Sequence, residues 1–217
     1  MDNINILLTG VGGQGVVLAS DILGDVALAS GCDVKKTDTL GMAQRGGSVV
    51  THMRMGAVVE SPMIGEGEAD FLLAFEKLEA ARWSPYLKQT AFAVVNDQCI
   101  PPLSVSLGLN VYPDDASVRR ILCHNGAKVV FIEGQHLAAN LGNSKALNVL
   151  MLGALSVLLP FGRESWNDVI KQRLPAKILD INIEAFEHGR CTMLDKISTV
   201  TEGGDCTCGD SGDSGAA

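Results

Sequence analysis

The chain has 217 residues, of which 47% are hydrophobic and 19% charged, and its formal net charge is −8. This length and apolar content suit one α/β domain with a short appendage. The acidic pI near 4.9 argues against a nucleic-acid partner, because binding to phosphates along a strand needs clustered Lys and Arg. No membrane span is expected, because the longest apolar candidate, residues 146–161, is too short and contains Asn148, Ser156 and Pro160.

The N-terminus and the cysteines bear on the cellular compartment. Asp2 and Asn3 lead directly into an apolar run, without the basic and apolar segments of a secretory signal, so a cytoplasmic location is expected. The six cysteines are scattered and do not have the density of a disulfide scaffold. They also lack the spacing of iron–sulfur ligands, so neither a cluster nor another metal site is expected in this chain.

Apolar runs that alternate with helical or loop-like stretches predict the strand–helix units of an α/β fold. We expect a Rossmann-like, mainly parallel sheet flanked by helices, with further helices toward the C-terminus. Strands are predicted at residues 4–8, 49–53, 71–75, 92–95, 109–112 and 129–132. Helices are predicted at residues 16–29, 76–86, 145–159, 164–173 and 179–188.

The domain is expected to cover residues 1–196, followed by a disordered acidic tail at residues 197–217. The tail is rich in Gly, Ser, Asp and Thr, and it has too little apolar surface to offset the entropy cost of ordering. Its Cys206 and Cys208 supply too few thiolates for a closed zinc site.

A glycine cluster joins the first predicted strand to the first predicted helix. Backbone N–H groups converge at such a turn, the helix dipole adds positive charge, and glycine lets a phosphate approach the main chain. We therefore predict that the turn binds a phosphate-bearing small molecule. The candidate binding residues are Gly10, Gly12, Gly13, Gln14 and Gly15.

Two other interpretations of this turn remain open. It matches the G-x-G-x-x-G pattern of dinucleotide-binding proteins, which also need an acidic residue about 20 positions later. Lys35, Lys36 and Asp38 stand in that region, and the lysines could favour the extra ribose phosphate of NADP or coenzyme A. The glycines could instead only permit a tight turn and close packing of helix on sheet.

Residues 38–56 fit neither a helical nor a strand period cleanly and are predicted to form a surface loop that leads into a strand. In this loop Gln44 and Arg45 precede Gly46 and Gly47, and all four are candidate binding residues. The Arg45 guanidinium could bind a phosphate or carboxylate through two hydrogen bonds, or it could pair with a carboxylate of this chain or of a partner subunit.

No arrangement of acid–base or nucleophilic residues is visible, and no residue is assigned a catalytic role. The histidines lack H-x-x-x-H spacing, and neither G-x-S-x-G nor the G-K-[ST] end of a P-loop occurs. His52 and Arg54, on the strand after the loop, are expected to be structural residues.

Three phrases, in order, carry a family likeness. They are G-V-G-G-Q-G-V from residue 10, G-M-A-Q-R-G-G-S-V from residue 41, and S-P-M-I-G-E-G-E-A-D from residue 61. Together with F-E-K-L-E-A-A-R from residue 75, they resemble the gamma-type domain of 2-oxoacid:ferredoxin oxidoreductases, and within that family the beta subunits of indolepyruvate:ferredoxin oxidoreductases. The resemblance covers about residues 4–190.

The resemblance implies oxidative decarboxylation of indolepyruvate or another arylpyruvate, with coenzyme A as acyl acceptor and ferredoxin as electron acceptor. It also implies a large partner subunit that holds thiamine diphosphate, Mg and 4Fe–4S clusters, with no cofactor in this chain. The glycine turn and the loop of residues 44–47 would then contact coenzyme A or the partner. The alternatives are a non-catalytic dinucleotide-binding module and a purely scaffolding subunit.

Overall fold

Residues 3–40, 46–124 and 126–202 are described by a computed structural model, in which a six-stranded sheet has helices on both faces. The strands are β1 (Ile4–Val11), β2 (Asp33–Leu40), β3 (Ser48–Gly56), β4 (Ala69–Ala74), β5 (Leu87–Asn96) and β6 (Lys128–Ile132). The helices are α1 (Val16–Ala29), α2 (Lys77–Trp83), α3 (Leu103–Ser106), α4 (Asp115–Cys123), α5 (Gly134–Asn140), α6 (Leu147–Ser156), α7 (Arg163–Arg173) and α8 (Ala176–Glu202).

The sheet has the order β2-β3-β1-β4-β5-β6. Strands β1, β4, β5 and β6 pair in parallel, and β3 pairs antiparallel with both β1 and β2. Strand β2 therefore points the same way as β1, which confirms the predicted mainly parallel α/β sheet. From β1 the chain passes through α1 toward β2, whereas from β4 it passes through α2 toward β5. This reversal of direction places a topological switch point between β1 and β4.

The two faces of the sheet bury separate cores. Strand β1 is buried along its length from Asn5 onward, as expected for a central strand covered by helices on both sides. Ile6 and Leu8 pack in the core that contains α1 and α6, while Leu7 packs in the core that contains α2. This alternation follows from the two-residue period of a strand.

Helix α6 lies at the centre of the larger core, and all ten of its residues are buried. It packs against α8 through close backbone contact. A Cβ atom at Gly153 would lie 2.0 Å from the Phe186 carbonyl oxygen, and one at Gly189 would lie 1.9 Å from the Leu150 carbonyl oxygen. Glycine at these two positions therefore permits the approach of the helices.

Some predicted elements differ from the observed ones. Strand β2 was not expected, because its polar sequence D-V-K-K-T-D-T-L lacks an apolar run; it lies at the edge of the sheet, where polar residues are tolerated. The strand predicted at residues 109–112 is wrong, because the N–H groups of Leu109 and Asn110 turn back to the Ser104 carbonyl oxygen.

The C-terminal helices were expected, but α4 and α5 were not. Helix α8 continues to Glu202, past the predicted start of the tail at Ile197, and residues 203–217 lie outside the described residues. Among the described helices, none combines the length and the hydropathy needed to span a membrane.

Candidate functional site

Four chain segments meet at the edge of the sheet where the parallel strands end, here called the carboxyl edge. The glycine turn follows β1, Phe75 and Glu76 follow β4, residues 97–99 follow β5, and residues 133–136 follow β6. Ligands of open α/β sheets bind outside the carboxyl ends of the strands, at a topological switch point. The glycine turn lies at that position, between β4 and the antiparallel β3.

The structure brings together the two glycine segments that the sequence analysis singled out. The Gly12 N–H donates to the Gly47 carbonyl oxygen at 2.8 Å, and the Gly46 N–H donates to the Gly12 carbonyl oxygen at 3.4 Å. The turn after β1 and the start of β3 therefore form one continuous main-chain surface. Gln44 and Arg45, the other two candidates in this loop, lie outside the described residues.

The glycines of the turn have different roles. Gly13 is exposed at φ +108°, and a Cβ there would meet no atom within 4 Å. Gly15 precedes α1 at φ +80°, and within the described part of the chain no side chain caps this helix. The first N–H groups of α1 and its dipole therefore lie next to the exposed Gly13, an arrangement that suits an anion.

Gly10 and Gly15 also permit close packing. A Cβ at Gly10 would lie 2.8 Å from Gln14 Oε1 and 3.0 Å from Phe75 Cβ. A Cβ at Gly15 would lie 2.7 Å from Asn148 Nδ2. The packing interpretation therefore holds at these two positions and does not apply to Gly13.

The side chain of Gln14 is used within the protein. Its Oε1 accepts a hydrogen bond from the Val11 N–H at 2.7 Å, and its Nε2 donates to the Phe75 carbonyl oxygen at 2.8 Å and to Gln98 Oε1 at 3.1 Å. Asn96 Nδ2 donates to the same two acceptors. This amide network joins the ends of β1, β4 and β5, so Gln14 positions the turn.

A cavity of about 560 Å³ extends the carboxyl edge beyond Gln98. Sequence reasoning missed it, although its two lining segments directly follow the predicted strands at residues 92–95 and 129–132. Its carboxylates include Asp97, whose ion pair with Lys77 has an N–O distance of 2.9 Å. The lining residues are Asp97, Gln98, Cys99, Glu133, Gln135, His136 and Ala139.

Glu76 is a buried carboxylate at the carboxyl edge whose role the sequence analysis did not predict. It is 1% exposed, and its Oε2 accepts from the Glu79 N–H at 2.9 Å, which caps α2. Its Oε1 accepts from the Ile100 N–H at 3.0 Å and from the Tyr112 hydroxyl. Burial, together with the Glu76 carboxylate, raises the pKa of Tyr112. The sequence feature that could have indicated this cap is the spacing of Glu76 and Glu79, three residues apart at the start of a predicted helix.

The acidic residue of a dinucleotide site does not lie beside the turn. Strand β3 separates β2 from β1, so Asp38 is two strand spacings away, about 9–10 Å across the sheet. Lys36 pairs with Asp38 at 3.3 Å and with Asp21, and Lys35 pairs with Asp33 at 2.9 Å. These ion pairs lie within the edge strand β2 and between β2 and α1.

His52 and Arg54 make structural contacts. His52 is buried, its Nδ1 accepts from the Ile64 N–H at 3.3 Å, and its ring meets Trp83 and Tyr86 edge-on at centroid distances of 5.7 Å. Burial lowers the pKa of His52. Arg54 Nε donates to the Asn5 side chain at 3.0 Å. No group of three or more His, Cys, Asp or Glu side chains placed to hold a metal ion occurs among the described residues.

Residues 5–191 match the family described as pyruvate ferredoxin/flavodoxin oxidoreductase. The chain is 40% identical over 192 residues to the indolepyruvate oxidoreductase subunit IorB of Thermococcus kodakarensis, a match that covers 87% of this chain and 95% of that protein. It is 38% identical to the IorB subunit of Pyrococcus horikoshii, with the same coverage of both chains.

Solved structures share the fold at lower identity. The gamma subunit of a keto/oxoacid ferredoxin oxidoreductase from Geobacter sulfurreducens superposes with a TM-score of 0.67 at 20% identity, covering 88% of this chain and 99% of that one. A 2-oxoglutarate:ferredoxin oxidoreductase from Magnetococcus marinus, solved with 2-oxoglutarate, coenzyme A and succinyl-CoA bound, gives a TM-score of 0.70 at 19% identity. This second match covers 90% of this chain and 32% of that one.

These findings confirm the resemblance that the sequence phrases indicated. The family match spans most of the chain, and the curated relatives align over nearly their whole length. The chain therefore belongs to the pyruvate ferredoxin/flavodoxin oxidoreductase family, together with the indolepyruvate oxidoreductase IorB subunits.

Proposed function

We propose that this chain is the small subunit of an enzyme that oxidatively decarboxylates indolepyruvate or another arylpyruvate to the aryl-acetyl-CoA and reduces ferredoxin. The observation that carries the proposal is the 40% identity to an IorB subunit across 95% of that protein's length. The chain has no assigned catalytic residue, so its role is to complete a site formed with a larger subunit. The proposed location is the cytoplasm.

The glycine surface at the carboxyl edge is the proposed contact for coenzyme A. Its open N–H groups near Gly13 and the uncapped start of α1 suit a phosphate oxygen or a pantetheine carbonyl. The M. marinus enzyme, which has coenzyme A bound, supports the choice of ligand. In this proposal Gln14 holds the turn, Gln44 and Arg45 contact the coenzyme, and main-chain groups of Gly10, Gly12, Gly13, Gly15, Gly46 and Gly47 line the site.

The remaining chemistry is assigned to the larger partner. We place thiamine diphosphate, Mg²⁺ and 4Fe–4S clusters in that subunit, where they supply the decarboxylation and carry electrons to ferredoxin. The present chain then shapes the access of coenzyme A to the partner's site. In this division of roles, the main-chain groups of the glycine surface bind coenzyme A, and no side chain of this chain takes part in catalysis.

The proposal is tested by purifying the tagged chain anaerobically from its native host. We expect a larger, brown, iron–sulfur-containing subunit to co-purify, and the complex to reduce ferredoxin only when both indolepyruvate and coenzyme A are present. A chain that elutes alone and binds NAD(H) or NADP(H) would contradict the proposal and support a dinucleotide-binding module.

The coenzyme A contact is tested separately with Arg45→Ala in the assembled complex. Loss of a charge-assisted hydrogen bond to a phosphate costs about 1.5–3 kcal/mol, so KM for coenzyme A should rise by about tenfold or more while the complex still assembles. Arg120→Ala, on the exposed face of α4, is the matched control. An unchanged KM for coenzyme A together with normal assembly would remove Arg45 from the proposed site.

A further inference from the structure

An unusually apolar segment links β5 to α4. Residues 100–113, here called the apolar loop, read I-P-P-L-S-V-S-L-G-L-N-V-Y-P and contain no charged side chain. Leu103 and Leu109 are each 73% exposed, Leu107 is 63% exposed and Val111 is 91% exposed. Single exposed apolar residues are common, but a cluster of this kind in a short segment is typical of an interaction site.

The apolar loop has a defined internal structure. The Leu107 N–H donates to the Leu103 carbonyl oxygen at 2.9 Å, and the Leu109 N–H donates to the Ser104 carbonyl oxygen at 2.8 Å. These bonds satisfy the backbone within the loop while the aliphatic side chains point outward. The backbone that carries these exposed side chains is therefore internally hydrogen-bonded, which reduces the entropy cost of ordering the loop on a partner.

Both ends of the apolar loop are attached to one buried carboxylate. Glu76 Oε1 accepts from the Ile100 N–H at 3.0 Å and from the Tyr112 hydroxyl, and Tyr112 also accepts from the Leu78 N–H at 3.2 Å. Since Glu76 directly follows β4, the loop is held at the same carboxyl edge as the glycine turn. A partner that covers the loop is therefore also close to the proposed coenzyme A site.

We infer that the apolar loop is a docking surface for the larger subunit of the complex, an inference that rests on the proposed function. In the M. marinus enzyme the matched fold is only 32% of a longer chain, so this fold is accompanied there by a much larger polypeptide. The absence of charge in the loop matches the composition of interface centres. A second copy of this chain is disfavoured as the occupant, because two chains of net charge −8 repel each other.

The experiment measures the affinity of the full chain for the purified large subunit of the native host under anaerobic conditions. The test variant carries Leu103→Gln and Leu109→Gln, and the control carries Leu28→Gln, an exposed leucine on α1 outside the loop. Circular dichroism checks that each variant is folded. We expect the test variant to bind at least tenfold more weakly than wild type, and the control to bind as wild type does.

The outcomes separate this inference from the proposed function. If the wild-type chain does not bind the large subunit, the proposed function fails and the inference fails with it. If wild type and test variant bind equally well, the inference is overturned while the proposed function stands. The inference is also overturned if the substitutions only convert a dimer of this chain to a monomer, or only raise KM for ferredoxin in a complex of normal affinity.

Discussion

The side-chain Nε2 of Gln14 donates to the carbonyl oxygen of Phe75 at 2.8 Å, and this bond joins the turn after β1 to the end of β4. The oxygen of the same amide accepts from the Val11 N–H, so both ends of the amide are engaged. The glycine turn contributes its main chain to the proposed site, and Gln14 fixes where that main chain lies. The Gln14 amide is therefore engaged within the protein, and its contact with a ligand stays a prediction.

Replacing Gln14 with alanine should destabilise the protein by about 1–3 kcal/mol, because the partly buried Val11 N–H loses its side-chain acceptor. The free energy of unfolding from urea titration measures the effect. Gln172→Ala, on the exposed face of α7, is the control and should change stability by less than about 0.5 kcal/mol. Equal stability of the Gln14→Ala protein and wild type would show that water replaces the amide at no cost.

Alanine substitutions at Gly13 and Gly15 separate backbone strain from steric contact. Both glycines have positive φ, so each substitution should cost at least about 1–2 kcal/mol from strain alone. Gly15→Ala should cost more, because its Cβ would lie 2.7 Å from Asn148 Nδ2, whereas a Cβ at Gly13 meets no atom within 4 Å.

Asn148→Ala tests whether the side chain of Asn148 causes the difference between Gly13→Ala and Gly15→Ala. Asn148→Ala removes the contact but leaves the strained φ. In the Asn148→Ala background, Gly15→Ala should therefore cost about as much stability as Gly13→Ala does in wild type. A double-mutant cycle on unfolding free energies gives the coupling. Zero coupling between positions 15 and 148 would show that the Asn148 side chain moves aside for the methyl group at no cost.

The sequence predicted those features that depend on local pattern. The buried run of β1, the glycine turn and the helices at residues 145–159 and 164–173 are strongly periodic or carry clear stop signals, and the structure has them. Strand β2 could not be recognised in the same way, because an edge strand with two lysines and two aspartates has no apolar signal.

Other features depend on contacts between distant residues. The alternation of Leu109 and Val111 resembles a strand, yet backbone bonds to Ser104 direct this segment into a loop. Likewise, the meeting of Gly12 with Gly47 follows from the pairing of β1 with β3, which brings together residues that a one-dimensional pattern treats separately. The role of Glu76 in holding Ile100 and Tyr112 has the same long-range origin.

The contact between α6 and α8 predicts a severe effect for Gly153→Ala. The added methyl carbon would lie 2.0 Å from the Phe186 carbonyl oxygen, so the two helices must move apart within the main core. We expect a loss of several kcal/mol, at the upper end of overpacking effects, seen as a large fall in Tm. Gly189→Ala should behave similarly, because its Cβ would lie 1.9 Å from the Leu150 carbonyl oxygen.

The matched control for these helical glycines is Gly24→Ala in α1. A Cβ at Gly24 would lie 3.5 Å from Met53 Cε, an ordinary van der Waals contact. Because alanine has the higher helix propensity, this substitution should leave stability unchanged or raise it by up to about 1 kcal/mol. If Gly153→Ala and Gly24→Ala had equal Tm values, the close approach of α6 to α8 would be wrong.

The buried His52 predicts a loss of stability at mildly acidic pH. Burial lowers its pKa below the ordinary value of 6.5, so the folded state binds a proton less readily than the unfolded state. Its contribution to stability is therefore fully present above pH 6.5 and is lost as the pH falls toward and through the lowered pKa. Protonation would also remove the Nδ1 acceptor that receives the Ile64 N–H.

His52→Asn tests this prediction, because the asparagine side chain keeps a hydrogen-bond acceptor but does not titrate in this range. Unfolding free energies measured between pH 5 and pH 8 should fall more steeply with acidification in wild type than in the variant, by about 1.4 kcal/mol for each unit by which the pKa is lowered. His124→Asn, at an exposed position on the protein surface, controls for the loss of a histidine as such. Parallel pH profiles for wild type and His52→Asn would show that the pKa of His52 is the same in the folded and unfolded states, which would contradict the lowered pKa.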